Sequence, residues 1–160
     1  LAKAPALVIG EGYATASSLR QTLGFATVAA FDSGNLLSVA KALHAKFPDK
    51  PILIAGDDDR HLEATQGINP GRSKAEEAAK AVGGKALLPI FAPGEQSAEP
   101  KGFTDFNDLA TKSVLGREGL ERQVRSVVDD VIERCQAQSV ELPQQVEKRE
   151  QRLRRTVKVG

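Results

Sequence analysis

The sequence predicts an α/β chain built as a three-layer sandwich, in which helices cover both faces of a mostly parallel, four-stranded sheet and a further helix extends the C-terminal end. Two observations carry this expectation. Short apolar runs alternate with helix-compatible stretches from residue 6 to residue 91, the pattern of repeated strand–helix units joined by right-handed crossovers. The runs are also uniformly apolar rather than alternating, as expected of strands buried on both faces.

Residues 6–9, "ALVI", form the first strand and end at Gly10, Glu11 and Gly12. The helix "YATASSLRQTLG" follows, with Leu19 and Leu23 four apart and Gly24 as its stop signal. "FATVAAF" (25–31) reads as the second strand and "DSGN" as a turn. In "LLSVAKALHAKF", Leu36, Leu37, Val39, Ala40, Leu43 and Phe47 fall mostly on one helical face, and Pro48 and Pro51 bracket the end. "ILIA" (52–55) is the third strand and runs into Asp57, Asp58 and Asp59. A polar loop, "RHLEATQGINPG", then leads to the helix "RSKAEEAAKAVGG" and a fourth strand, "KALLPIF", at 85–91. The Pro/Gly-rich loop 92–102 precedes "FTDFNDLA". After Gly119, a long helix places Leu120, Val124, Val127, Val128, Val131, Ile132 and Cys135 on one stripe.

The expected division is a catalytic-type domain over 1–116, a helix over 117–139 on or next to it, and a charged tail, helical or flexible, over 140–160. That tail gathers Arg149, Arg152, Arg154, Arg155 and Lys158. It reads either as a solvated linker or as a basic arm touching nucleic-acid phosphates, a sequence-independent contact.

Bulk properties narrow the function classes. A chain of 160 residues fits one domain of ordinary size. Its formal net charge of +1 argues against a protein that coats nucleic acid indiscriminately. A single cysteine allows no internal disulfide and no cysteine-built zinc site, which suits a reducing cytoplasm. No apolar run approaches the roughly 20 residues of a membrane span, and the start lacks the pattern of a signal peptide. A cytoplasmic location without a membrane partner is therefore expected. Methionine is absent even at position 1, so the chain reads as a piece of a longer polypeptide. Neither Gly-x-Gly-x-x-Gly spacing nor a P-loop lysine pattern occurs.

The acids raise the functional question. In open parallel sheets, functional groups gather at the carboxyl ends of the strands. Glu11 lies just past strand one, Asp57, Asp58 and Asp59 just past strand three, and Asp105 and Asp108 beyond strand four. If strands one and three are neighbours, Glu11 faces the aspartates across one crevice. Carboxylates about 4 Å apart repel by several kcal/mol near a protein surface, so one of them holds its proton or a cation sits between them. Mg²⁺ suits such a place, being held by one or two carboxylates together with waters and substrate phosphates. Alternation in "DDD" lets Asp57 and Asp59 point to one side and Asp58 away. Asp57 and Asp59 are thus the expected ligands and Asp58 a weaker candidate. "DFNDL" also reads as a helix start, capped by Asp105 or Asn107. His44 and His61 read as structural, Cys135 as a small core residue, and Tyr13 as packing at a helix start.

"VIGEGYATASSL", "ILIAGDDD…NPGRSKAEEAA" and "DFNDL" together resemble a Toprim domain, the catalytic fold shared by bacterial-type primases, topoisomerases and some nucleases. The resemblance covers roughly residues 6–115 and is similar above all to primase domains of plasmids and mobile elements, the TraC-type conjugative primases. It implies a Toprim-like, Rossmannoid sandwich and Mg²⁺-dependent (or Mn²⁺-dependent) nucleotidyl transfer. The expected substrates are ribonucleoside triphosphates on a single-stranded DNA template, and the expected partners are other domains of a longer polypeptide and a relaxase or helicase. Glu11 would be a ligand or general acid/base. Asp57 and Asp59 would hold the metal, and Asp105 and Asp108 a second ion or the triphosphate. Arg60, Arg72 and Lys74 would meet phosphate or be solvated cations. One departure stands out: "RHLEATQGI" separates the aspartates from Asn69, Pro70 and Gly71, where family members often place a glycine sooner. Nuclease or topoisomerase action, and a non-catalytic module that docks to DNA or a relaxase, are the alternative expectations.

Overall fold

The computed structural model describes the backbone of residues 1–157 and the side chains of residues 1–139. The strands are β1 (Leu7–Gly10), β2 (Val28–Ala29), β3 (Ile52–Ala55) and β4 (Lys85–Leu87). They form one sheet in the order β2-β1-β3-β4, and every pairing is parallel. The helices are α1 (Tyr13–Leu23), α2 (Leu36–Lys46), α3 (Arg60–Gln66), α4 (Pro70–Ala81), α5 (Glu95–Ala98), α6 (Phe106–Thr111) and α7 (Gly116–Val157). The basic stretch 149–160 lies outside the residues whose side chains are described.

The three layers follow from the two-residue period of the strands. Val8, Leu53 and Ala55 point into one core with Leu19 and Leu23 of α1, Phe106 and Leu109 of α6, and Leu120, Val124 and Val128 of α7. Leu7, Ile9, Ile52 and Ile54 point the other way, onto Leu36 and Ala40 of α2 and Ala75, Ala78 and Ala79 of α4. All four residues of β1 and all four of β3 are buried. Two cores of opposite sign along one strand leave no room for polar alternation.

Several segments differ from the sequence expectation. The second strand shrinks from 25–31 to Val28–Ala29, because β2 is an edge strand with β1 as its sole partner. The fourth shrinks from 85–91 to Lys85–Leu87. Pro89 has no N–H to extend the ladder, and the Gln123 side chain of α7 instead bonds both the N–H and the carbonyl of Ile90, at 2.9 and 2.7 Å. The stretch read as a polar loop is largely helical: α3 ends at Gly67, which takes φ 70°, and α4 begins at Pro70 rather than Arg72. Asn69 caps α4 by accepting from the Arg72 N–H at 3.2 Å, with Pro70 in the first turn. Likewise α5 forms inside the expected loop 92–102, and α7 starts at Gly116, ahead of Gly119.

The strand order carries the functional consequence. From β1 the chain moves to β2 on one side, then returns to β3 on the other. The reversal opens a crevice at the carboxyl ends of β1 and β3, where open α/β sheets bind their ligands.

Candidate active site at the carboxyl ends of the strands

Pairing fixes the site's geometry. Gly10 lies opposite Ala55, and the Glu11 N–H donates to the Ala55 carbonyl at 3.2 Å. Glu11 and Asp57 therefore leave the sheet side by side, within two residues of that last pair. Glycines let the surrounding helices close in. A Cβ on Gly71 would stand 2.4 Å from the Asp57 carbonyl oxygen, and one on Gly56 2.5 Å from the Ala75 Cβ. The first turn of α4 thus rests directly on the aspartate loop. The Gly71 N–H donates to Asp59 Oδ2 at 2.8 Å, and the Asp59 N–H donates to Asn69 Oδ1 at 3.0 Å.

The electrostatics separate the acids into two groups. Glu11 Oε2 and Asp57 Oδ1 are buried without any hydrogen-bond partner. Burial raises the Glu11 pKa above its ordinary value; the Asp57 N–H opposes this, while the charges of Asp59, Asp32 and Asp105 add to it. Asp57 is pushed up to about 8, first by burial and then by the charges of Glu11, Asp105 and Asp59. Asp105 is also raised, by burial first, although the Asp108 N–H offsets part of that. These residues, brought from β1, β3 and the start of α6, repel one another across the crevice.

Asp58 and Asp108 are satisfied instead. Asp58 is 3% exposed and accepts from Asn69 Nδ2 (2.8 Å), Arg72 Nη2 (3.0 Å), Arg60 Nε (3.1 Å) and Gln96 Nε2 (3.2 Å). Burial works to raise its pKa, but these donors and the Arg72 charge outweigh it and hold it below the usual carboxylate range. Its own N–H donates to the Thr104 carbonyl at 2.8 Å, which ties the aspartate loop to the start of α6. Asp108 forms a capping box with Asp105 and an ion pair of 2.7 Å with Lys112. Against the cost of burial, the Lys112 ammonium and the Thr104 and Asp105 N–H groups lower its pKa.

The cations expected near phosphate are placed as follows. Arg60 and Arg72 both bond Asp58, and Arg72 Nη1 also lies 3.9 Å from Glu63 Oε1. The Arg72 Nε is buried and unpartnered. Lys74 sits on the exposed side of α4, paired with Glu77 at 3.1 Å. Beside the Asp58 network a cleft of about 510 Å³ opens, lined in part by Arg60, Arg72, Ile90, Phe91 and Gln96. Among the described residues, no group of three or more His, Cys, Asp or Glu side chains is placed to hold a metal ion unaided. The orphaned oxygens of Glu11 and Asp57 nevertheless fit a divalent cation that takes its remaining ligands from water and phosphate.

Residues 6–114 match the family described as Toprim domain. The chain belongs to the Toprim family. It is 49% identical to an Escherichia coli DNA primase TraC, over 97% of this chain and 20% of that protein. To a second Escherichia coli DNA primase TraC it is 48% identical, over 82% of this chain and 13% of that protein. It therefore spans a fifth or less of the length of these relatives. No solved structure matches.

Within this Toprim domain, sequence reading missed the network around the acids. Asn69 is 7% exposed and joins Asp58, Asp59 and the Arg72 N–H. Its signal was present as Asn-Pro-Gly, an N-cap followed by a proline in the first turn. Gln96, in α5, and Thr104, just before α6, carried no comparable local mark. Tyr13, expected to pack at a helix start, is 71% exposed. Cys135 is half-buried, its thiol 3.5 Å from the Asp49 carbonyl.

Proposed function

We propose that this chain is the catalytic Toprim domain of a DNA primase of plasmid or mobile-element type. It would serve Mg²⁺-dependent nucleotidyl transfer, making RNA primers on single-stranded DNA in conjugative transfer or replication, in the cytoplasm. The observation that carries this reading is the pair of orphaned carboxylate oxygens, one on Glu11 and one on Asp57, at the strand-order reversal of a Toprim sheet. The similarity to two DNA primases supports the choice of primase over other Toprim chemistries. Among the described residues, no helix is long and apolar enough to cross a membrane.

In this reading Glu11 and Asp57 hold the cation with Asp59, whose second oxygen is left beside the one that Gly71 engages. Bound there, magnesium would offset the carboxylate charge, orient a triphosphate and stabilise the leaving oxygen. Asp105 stands at the same crevice for a second ion or the triphosphate. Asp58 and Asp108 keep the loops that carry the others in register. Arg72 and Arg60 line the cleft beside Asp58, where they can meet phosphate by bidentate contacts, whereas Lys74 faces Glu77 and solvent.

The test uses the natural polypeptide that carries this chain, with single-stranded template, ribonucleotides and Mg²⁺. Oligoribonucleotide synthesis is expected, and Glu11→Ala and Asp57→Ala are each expected to lower it by about a hundredfold or more, as for loss of a group that acts on the transition state. Undiminished synthesis in both variants would falsify the assignment. Nicking or relaxation of supercoiled plasmid in place of synthesis would move it to the nuclease or topoisomerase branch of the family.

A further inference from the structure

Phe31 combines features that folding alone does not favour. It is the one non-glycine among the described residues with a positive φ, 67°. An unbranched aromatic gains nothing locally from that left-handed backbone, which disfavours any side chain with a Cβ. Such outliers concentrate where function holds the chain in place. Phe31 is also 76% exposed, so burial does not compensate the strain. Among six phenylalanines and one tyrosine, Phe31 and Tyr13 alone are exposed; the others are buried or half-buried in the cores and loops.

Both exposed rings sit at the same end of the sheet, beside the acids. Gly10 pairs with Ala29, and the Ala30 N–H donates to the Gly10 carbonyl at 2.9 Å. Phe31 thus leaves β2 alongside Glu11 and Gly12, and Tyr13 begins α1 one residue later. The backbone after Phe31 is pinned as well. Asp32 accepts from the Gly34 N–H at 2.7 Å, and the Asn35 side chain donates to the Ala30 carbonyl at 3.1 Å. The ring is presented to solvent by a backbone held on both sides.

Charge indicates what the rings can take. Glu11 lies two residues before Tyr13 and Asp32 directly follows Phe31, both are acidic, and the Asp32 charge is felt at Glu11. Where no cation intervenes, a phosphate backbone is repelled there, while the uncharged π-face of a nucleobase is not. We propose that Phe31, with Tyr13 beside it, is a stacking platform for one unpaired nucleobase whose phosphate is carried at the Glu11–Asp57 crevice. The proposal rests on the nucleotide-handling reading above, and it names the side of the crevice, the β2 edge, on which the base lies. Base–aromatic stacking tolerates any base, since each presents a π-face.

The sequence supplies its own probe. Tyr13 is the only tyrosine and tryptophan is absent, so near-ultraviolet emission reports on this corner alone. Two probes are titrated separately into the 160-residue chain: a short oligothymidylate, and a ribonucleoside triphosphate with Mg²⁺. Saturable quenching of Tyr13 is expected for at least one, and which one assigns the base to a strand or to an incoming nucleotide. Phe31→Gly is expected to weaken that binding about tenfold or more, the scale of one lost stack. Its melting temperature should stay equal or rise, because glycine accepts φ 67° without strain. Phe31→Tyr keeps a π-face and should bind as wild type. Absence of quenching by both probes, or unchanged affinity in Phe31→Gly, would overturn the platform. Emission needs no turnover, so a chain that makes no primers can still show the platform, and one that makes primers can lack it.

Discussion

Asp57 and Asp58 are adjacent in sequence and opposite in circumstance. Asp58 is the more deeply buried, yet four side-chain donors surround it and its pKa is lowered. Asp57 keeps an oxygen with no partner, faces Glu11 and Asp105, and is pushed up to about 8. Burial works in the same direction on both; the difference lies in what the fold aims at each. A carboxylate whose every lone pair is engaged by the protein holds loops together. A carboxylate left wanting by its own fold is free to serve something from outside.

The contrast can be broken most severely at Asp58. Asp58→Ala strands Asn69 and leaves the half-buried Arg72 guanidinium without its main partner, and is expected to destabilise the chain by about 2–4 kcal/mol in urea unfolding. The figure sits below that of a fully buried pair because Arg72 retains some solvent contact. A loss under about 0.5 kcal/mol would show that the network is not what fixes the loop.

Asp57→Asn should act in the opposite sense. The folded-state pKa of Asp57 lies above its ordinary value of 3.8, so between pH 4 and 8 the folded metal-free chain binds a proton that the unfolded chain has released. Stability therefore falls as pH rises through that window. Asn removes the penalty, and the variant is expected to gain about 1–2 kcal/mol over wild type at pH 9, less than the full shift implies because Asp57 is only partly buried and water screens its charge, while matching it near pH 4. Mg²⁺ should restore the wild type at high pH and leave the variant unaffected, which chemical denaturation with and without the ion would read. A wild-type profile that rises from pH 4 to 8 would contradict the assigned crowding of charge.

The smallest effect is expected at Lys74. Its pair with Glu77 is exposed on both sides, and Lys74→Ala should shift stability by no more than about 0.5 kcal/mol. Calorimetric titration of Mg²⁺ should give the same affinity as wild type. A clear rise in affinity, from relief of its repulsion of the cation, would place this lysine at the crevice after all.

The sequence by itself determined the layers and the acids. Apolar runs at 6–9 and 52–55 could only be strands covered on both faces, and the heptad-like stripe from Leu120 to Ile132 could only be a covering helix, because burial dictates those periods locally. The acids after those strands were legible for the same reason: strand ends dictate where loops begin. Tertiary structure alone decided which acids remain unsatisfied. Asp108 is satisfied by near neighbours, Thr104 and Lys112, but Asp58 draws Asn69, Arg72 and Gln96 from 11, 14 and 38 residues along the chain, and no local pattern encodes those meetings. It also trimmed the strands at 25–31 and 85–91, since an edge strand continues only where a neighbour offers partners, and Pro89 and the Gln123 side chain end that offer. Hydrogen-bond satisfaction is a property of neighbours in space, so the line between the holding acid and the waiting one is drawn only when the chain closes on itself.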